Sequence, residues 1–288
     1  MSDLFSIPGA VIALGGVLGL IVGSFLNVVI LRLPQRLMHS WREQSRELLE
    51  LPPDSATAPP GIVWEASHCP NCKHPLGVLE NIPVASWLAL RGRCRHCSTP
   101  ISFQYPFVEL LTGLCSAAIV WKFGADWPAA AGLVLTWLLI ALAGIDVRTQ
   151  LLPDQLTLPL LWLGMCLALL PLFADARASI IGAAAGYLCL WSVYWAFKLI
   201  TGKEGMGYGD FKLLAALGAW MGPTALLPVV LMSSLLGAVV GGAFLLIRGH
   251  DRMTPIPFGP FIAAAGWIWF VQGDALMAAY DRTLSAYQ

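Results

Sequence analysis

The sequence carries little charge. Asp, Glu, Lys and Arg make up 12% of its 288 residues, whereas 57% are hydrophobic, and the mean hydropathy is +0.71. A soluble globular protein carries about 25% charged residues, so we infer that most of the surface faces lipid. Net charge is also lacking, since 17 acidic residues balance 17 basic ones. A balanced chain has no strong positive field, so no nucleic-acid partner is expected.

The start of the chain lacks basic residues. Asp3 precedes the first apolar run, and no Lys or Arg does. A secretory signal peptide needs a basic segment before its apolar core and small residues at a cleavage site. We therefore expect the first hydrophobic segment to remain in the protein as a membrane span.

Long apolar segments dominate the rest of the chain. A helix needs about 20 mostly apolar residues to cross the hydrocarbon core of a bilayer. The pattern predicts an all-α polytopic membrane protein with about eight transmembrane helices. They lie near residues 8–31, 106–122, 128–145, 155–173, 178–198, 210–221, 224–247 and 257–272. The predicted parts are a first transmembrane helix (1–31), a polar insert (32–104) and a seven-helix membrane core (105–288).

The basic residues indicate how these spans are oriented. With eight spans, 14 of the 17 Lys and Arg residues fall on the side that holds the insert, and three fall on the opposite side. Cytosolic loops of membrane proteins carry the excess of basic residues. The sequence therefore predicts a cytosolic insert and places both termini outside.

Two cysteine pairs stand in the insert, Cys69 with Cys72 and Cys94 with Cys97, and 21 residues separate the pairs. Two such CxxC turns let four thiolates surround one Zn²⁺ tetrahedrally. Disulfides are disfavoured in the cytosol, and a segment of this size has little core of its own. The spacing therefore predicts a structural, zinc-ribbon-like site without an open position for a catalytic water.

Two aspartates border predicted spans. Asp146 closes the third span, and Asp210 opens the sixth in the segment Gly207-Tyr-Gly209-Asp210. The third span runs toward the cytosol and the sixth runs away from it, so both carboxylates are expected at one membrane depth. Of two adjacent carboxylates, one can activate water while the other donates a proton. The glycines would let a substrate strand approach closely.

Spacing alone leaves other readings of the acidic residues open. Asp at a helix N-terminus, such as Asp210, is an ordinary cap, whereas Asp at a C-terminus, such as Asp146, is unfavourable. Asp154 is better explained as an N-cap residue than as a catalytic one. For Glu109 the sequence does not decide between a structural and a functional role. An ion-coupled transporter that uses Asp146 and Asp210 is the main alternative function. A membrane scaffold that recruits a partner through its zinc module is a third.

The ordered set of motifs resembles the type IV prepilin peptidases, which are GxGD aspartyl proteases of membranes. The segment from Gly23 through Asn27 and Arg32 to Pro34 resembles the N-terminal signature of that family, and the two CxxC pairs match its zinc-binding insert. The three remaining matches are the segment at Asp146 with the Leu-Leu-Pro-Asp154 turn, the Gly207-Tyr-Gly209-Asp210 segment, and Pro257-Phe-Gly259-Pro260.

The resemblance implies both the chemistry and its residues. Asp146 and Asp210 would be catalytic, and the residues that would bind substrate or support the site are Gly207, Gly209, Pro257 and Gly259. Members of the family cleave the leaders of type IV prepilins and type II secretion pseudopilins at the cytosolic face of the bacterial inner membrane.

Many members also methylate the new N-terminal amine with S-adenosylmethionine. In this sequence no glycine-rich nucleotide loop follows a strand. The residues of a methyltransferase site therefore stay unassigned, and the segment 23–27 and the insert are where we expect them.

Overall fold

The structure, a computed structural model, describes residues 9–52, 58–69, 71–248 and 256–285. Within these ranges the regular elements are helices, with two isolated β-bridges, and the predicted all-α polytopic class is confirmed. The start of the chain and most of the segment between the predicted spans 224–247 and 257–272 lie outside these ranges. The α-helices are α1 (Gly9–Leu48), α2 (Ala85–Ala89), α3 (Gln104–Phe123), α4 (Trp127–Thr149), α5 (Asp154–Leu167), α6 (Ala176–Thr201), α7 (Tyr208–Met221), α8 (Leu226–Arg248) and α9 (Gly259–Ser285).

In the part of the chain that the structure describes, six segments are long and apolar enough to cross a membrane. They belong to α1, α3, α4, α6, α8 and α9. Helices α5 and α7 have 14 residues each, which gives a length of about 21 Å against a hydrocarbon core of about 30 Å. The count of eight spans, and the orientation derived from it, therefore remain predictions.

The chain divides into two compact units, residues 1–141 and 142–288, with the boundary inside α4. In the first unit α1 packs along α3, and glycines 15, 19 and 23 of α1 line the contact. A Cβ at Gly19 would lie 2.5 Å from Ser116 Oγ, and a Cβ at Gly23 would lie 2.8 Å from the Cα of Glu109. Small residues at this four-residue spacing allow two helices to approach closely in a membrane.

The insert is attached to the helices on either side of it. Helix α1 continues past Leu31, where the first span was predicted to end, and stops only at Leu48. Arg32 is 9% exposed, and its Nη1 donates hydrogen bonds to the carbonyls of Gly61 at 2.6 Å and Glu65 at 3.0 Å. The buried guanidinium thereby satisfies carbonyls of the insert that would otherwise need water.

The second unit is built around α7. The side chains of α7 are buried from Asp210 to Trp220 except at Lys212. Helix α6 packs on one side, and the Trp220 indole N–H donates to the Leu160 carbonyl of α5 at 2.8 Å. Gly207 caps the start of α7, and Gly222, with φ of 77°, ends it. The short helix is therefore a core element whose first turn carries a carboxylate.

Candidate active site

Asp146 lies in the last turn of α4 and is 5% exposed. Its Oδ2 accepts a hydrogen bond from the backbone N–H of Gly259 at 3.0 Å. Gly259 begins α9, and the first N–H groups of a helix have no partner within the helix and favour an anion. The N-terminus of α9 therefore stabilises the Asp146 carboxylate, which lies at the unfavourable C-terminus of α4.

Asp210 lies in the first turn of α7 and is 6% exposed. The backbone of the N-cap Gly207 hydrogen-bonds to its carboxylate, so one N–H at the start of the helix has a partner. Asp210 Oδ1 is buried and has no hydrogen-bond partner among the described residues. A buried carboxylate oxygen without a donor is costly, so this atom is available to a bound molecule.

Both aspartates line one cavity of about 250 Å³. Of the other predicted site residues, Gly207, Gly209 and Pro257 also line it, and Gly259 contacts Asp146. A Cβ at Gly209 would lie 2.6 Å from Leu152 Cβ, so this glycine is needed for close packing at the cavity wall. The structure thus brings together all six predicted residues, which come from three separate parts of the chain.

The cavity also has lining residues that the motifs did not indicate. They are Gln150, Glu204, Gly205, Met206 and Ile256, while Leu152 and Phe258, which also line it, stand within the motifs. Glu204 is held by the Lys198 ammonium at 2.8 Å, an ion pair that ties the segment 202–207 to the end of α6. In the sequence, Glu204 could be singled out only by its position five residues before Gly209. That position indicates no chemical role until the fold is known.

The predicted N-cap role of Asp154 is wrong. Pro153 occupies the N-cap position of α5, and no side chain caps that helix. Asp154 is the first helical residue, and its Oδ1 accepts a hydrogen bond from Lys212 Nζ at 2.6 Å. An acidic residue in the first turn still favours the helix electrostatically, but the partner of this carboxylate lies on α7.

The four paired cysteines form one cluster. Their Sγ atoms all lie within 4.8 Å of one another, with 3.7 Å between Cys69 and Cys97 and 3.9 Å between Cys72 and Cys94. A tetrahedral site with Zn–S distances near 2.3 Å places its sulfur atoms about 3.8 Å apart. The thiols therefore fit one tetrahedral metal ion, and the predicted four-cysteine site is assembled as expected.

These features define a polytopic membrane protein with two buried carboxylates in one cavity and a separate four-cysteine site. A family profile described as the bacterial peptidase A24 N-terminal domain matches residues 17–123, and one described as the type IV leader peptidase family matches residues 133–242. The chain belongs to the type IV leader peptidase family, as the sequence resemblance indicated.

Relatives named prepilin leader peptidase/N-methyltransferase match over most of the chain. A protein from Xanthomonas campestris is 53% identical over 282 residues, which covers 98% of both chains. One from Aeromonas hydrophila is 54% identical and covers 91% of this chain and 90% of its own. One from Pseudomonas aeruginosa is 50% identical and covers 96% of both chains. No solved structure matches. These matches give no support to the transporter alternative.

Proposed function

We propose that this protein is a membrane aspartyl endopeptidase that cleaves the leader peptides of type IV prepilins and type II secretion pseudopilins, and then methylates the new N-terminal amine. The observation that carries the peptidase is the meeting of Asp146 and Asp210 in one cavity. The relatives are named for both activities. The family profile and the pair of carboxylates support the same reaction class.

The geometry suits hydrolysis of a peptide bond. The Gly259 N–H holds one oxygen of Asp146, while Asp210 Oδ1 receives no hydrogen bond from the residues that the structure describes. A water between the two carboxylates would lose a proton to the ionised one, and the protonated one would donate to the peptide carbonyl. Closely spaced carboxylates titrate as a pair, so the proposal assigns neither role permanently to one residue.

We assign the active site to the cytosolic face of the bacterial inner membrane. The excess of basic residues on the side that holds the insert supports this orientation. Both aspartates lie at helix ends that this topology places on the same side. A leader held in the cytosol would present its scissile bond there.

The metal of the four-cysteine site is proposed to be zinc in a structural role. Four thiolates suit Zn²⁺ and leave no coordination position for a water. When bound, the metal would cross-link the two cysteine turns of an insert that has little core of its own. The insert is also pinned by Arg32, so the metal is not its only support.

The test is cleavage of a prepilin peptide by Asp146→Asn and Asp210→Asn. Each variant should lose about a thousand-fold or more in rate, and the double variant should be little worse, because two residues that act as a unit are not additive. Asp154→Asn is the matched control, since its carboxylate pairs with Lys212 and does not line the cavity. Near-normal turnover by either single variant would contradict the proposed pair.

A further inference from the structure

The first unit contains a buried polar cluster that the proposed peptidase site does not use. Asn27 of α1 is 2% exposed and Glu109 of α3 is 7% exposed. Asn27 Nδ2 donates to the carbonyls of Gly23 at 3.3 Å and Tyr105 at 3.0 Å. Because both partners are carbonyls, the amide orientation is determined by its bonds. Asn27 Oδ1 is buried and receives no hydrogen bond from any described residue.

Glu109 reaches the same turn of α3. Helical side chains lean toward the N-terminus of their helix, so the Glu109 carboxylate extends toward Tyr105, one turn earlier. Its Oε2 accepts a hydrogen bond from the Val84 N–H at 2.7 Å, and Ser24 also hydrogen-bonds to the carboxylate. Asn27 contacts that turn through the Tyr105 carbonyl. Ser24, three residues before Asn27, contacts Glu109, and Tyr105, four residues before Glu109, contacts Asn27, so the two polar groups are linked across the contact between α1 and α3.

The insert meets this cluster through a strained turn. Val84 has φ of 60° and ψ of −49°, and the Ala85 N–H donates to the Pro83 carbonyl at 2.5 Å across it. A positive φ is a clear outlier for a β-branched residue and is usually maintained by its surroundings. Here the hydrogen bond to Glu109 holds the turn in place. Residues of α1, of α3 and of the insert therefore contact one another at this cluster.

We propose that Asn27 and Glu109 bind a primary ammonium group that takes part in methyl transfer. An ammonium has three N–H donors and a positive charge, which suits a carboxylate beside an unpartnered acceptor. Two reactants carry such a group: the new N-terminus of the cleaved protein and the amino group of S-adenosylmethionine. If the group is the new N-terminus, Glu109 would take one of its protons, the freed nitrogen would attack the methyl carbon, and the bond from that carbon to the sulfonium sulfur would break to release S-adenosylhomocysteine. The amino group of S-adenosylmethionine would only hold the methyl donor in place. The inference rests on the proposed methyltransferase activity and places it in the first unit, whereas both aspartates lie in the second.

The test compares Glu109→Gln with Glu65→Gln, which neutralises an exposed carboxylate of the insert. Glutamine keeps one carbonyl oxygen for the Val84 N–H and replaces the other carboxylate oxygen by a neutral NH2 group, so the strained turn should persist. Equilibrium binding is measured on the full-length protein in detergent with three probes. They are a peptide with the mature N-terminal sequence and a free amine, the same peptide acetylated, and S-adenosylmethionine.

We expect Glu109→Gln to weaken one of the two amine-bearing probes about ten-fold or more, because a charge-assisted hydrogen bond is lost. The acetylated peptide should bind unchanged, and Glu65→Gln should bind all three probes as the wild type does. A loss confined to the free-amine peptide identifies the substrate amine as the ligand. A loss confined to S-adenosylmethionine identifies the amino group of the donor. Unchanged binding of both by Glu109→Gln and by Asn27→Ala would overturn the proposal.

Two further measurements distinguish a failure of this proposal from misfolding of the variant and from a failure of the proposed function. If Glu109→Gln loses its metal, Ser24→Ala takes its place and should weaken the same probe about three-fold. Unchanged binding by Ser24→Ala would then overturn the proposal. Leader cleavage by the control Glu65→Gln, whose carboxylate is exposed, should match the wild type. A wild-type protein that fails to cleave a prepilin contradicts the proposed function, whereas the binding measurements test the ammonium site independently.

Discussion

Replacing Gly259 by alanine tests whether Asp146 must be held where the start of α9 holds it. A Cβ at this position would lie 2.6 Å from Asp146 Oδ2 and 3.1 Å from Leu152 Cδ1. A carbon and an oxygen in contact normally lie about 3.3 Å apart, so the carboxylate would have to move by about 0.7 Å. Alanine keeps the backbone N–H, and the change therefore alters the position of the acid and not its hydrogen-bond donor.

The expected consequence is a slow but folded enzyme. A displacement of about 1 Å at a reacting group can reduce a rate about 100-fold, so prepilin cleavage should fall by roughly that factor. The atom that must move is the end of a side chain, which puts the stability loss near the lower end of the overpacking range, at about 1 kcal/mol. The assay combines single-turnover cleavage with thermal unfolding of the same preparation.

Gly242→Ala is the matched control, because a Cβ there would meet nothing within 4 Å. It should keep both wild-type cleavage and wild-type stability, since alanine suits a helix better than glycine does. Wild-type cleavage by Gly259→Ala would refute the reasoning, because it would mean that the reaction tolerates the displacement. Loss of folding in Gly259→Ala would refute the expected small stability cost.

Three further outcomes are expected. Asp154→Asn should lower the free energy of unfolding by less than about 1 kcal/mol, because its contact with Lys212 is partly exposed, and a larger loss in thermal unfolding would show a role beyond this pair. Cys97→Ser should release the metal, measured as the zinc stoichiometry of the purified protein, and should make the insert sensitive to an added protease while some prepilin cleavage persists. Loss of all prepilin cleavage would show that the insert positions the substrate. The hydrogen bond from Lys198 holds the pKa of Glu204 below its usual range, so this pairing contributes above the ordinary pKa of a glutamate and is lost as pH falls through the lowered pKa. Acidification through this lowered pKa should therefore expose the segment 202–207 to an added protease. Glu204→Gln should be equally sensitive to the protease at neutral pH, and wild-type protection of this variant would contradict the expectation.

The sequence by itself determined the class of the protein and indicated which polar residues form its metal site and its candidate active site. Long apolar segments and a low charge content leave few alternatives to a helical membrane protein. Backbone N–H and C=O groups in lipid must be hydrogen-bonded within the protein, and a helix pairs its own groups. The spacing of Cys69, Cys72, Cys94 and Cys97 sufficed for the metal site, because each CxxC turn brings two thiolates together locally. Asp146 stood out because a negative charge is unfavourable at a helix C-terminus.

Only the tertiary structure decided how these groups are partnered. The stabilising contact of Asp146 comes from Gly259, 113 residues later, and the start of α7 places Asp210 in the same cavity. Asp154 looked like a cap in the sequence, yet its partner is Lys212 on another helix. Local patterns report which residues a helix can contain and where it can end. Partners distant in the chain depend on how helices pack, and the side-chain periodicity of a single helix carries no record of that packing.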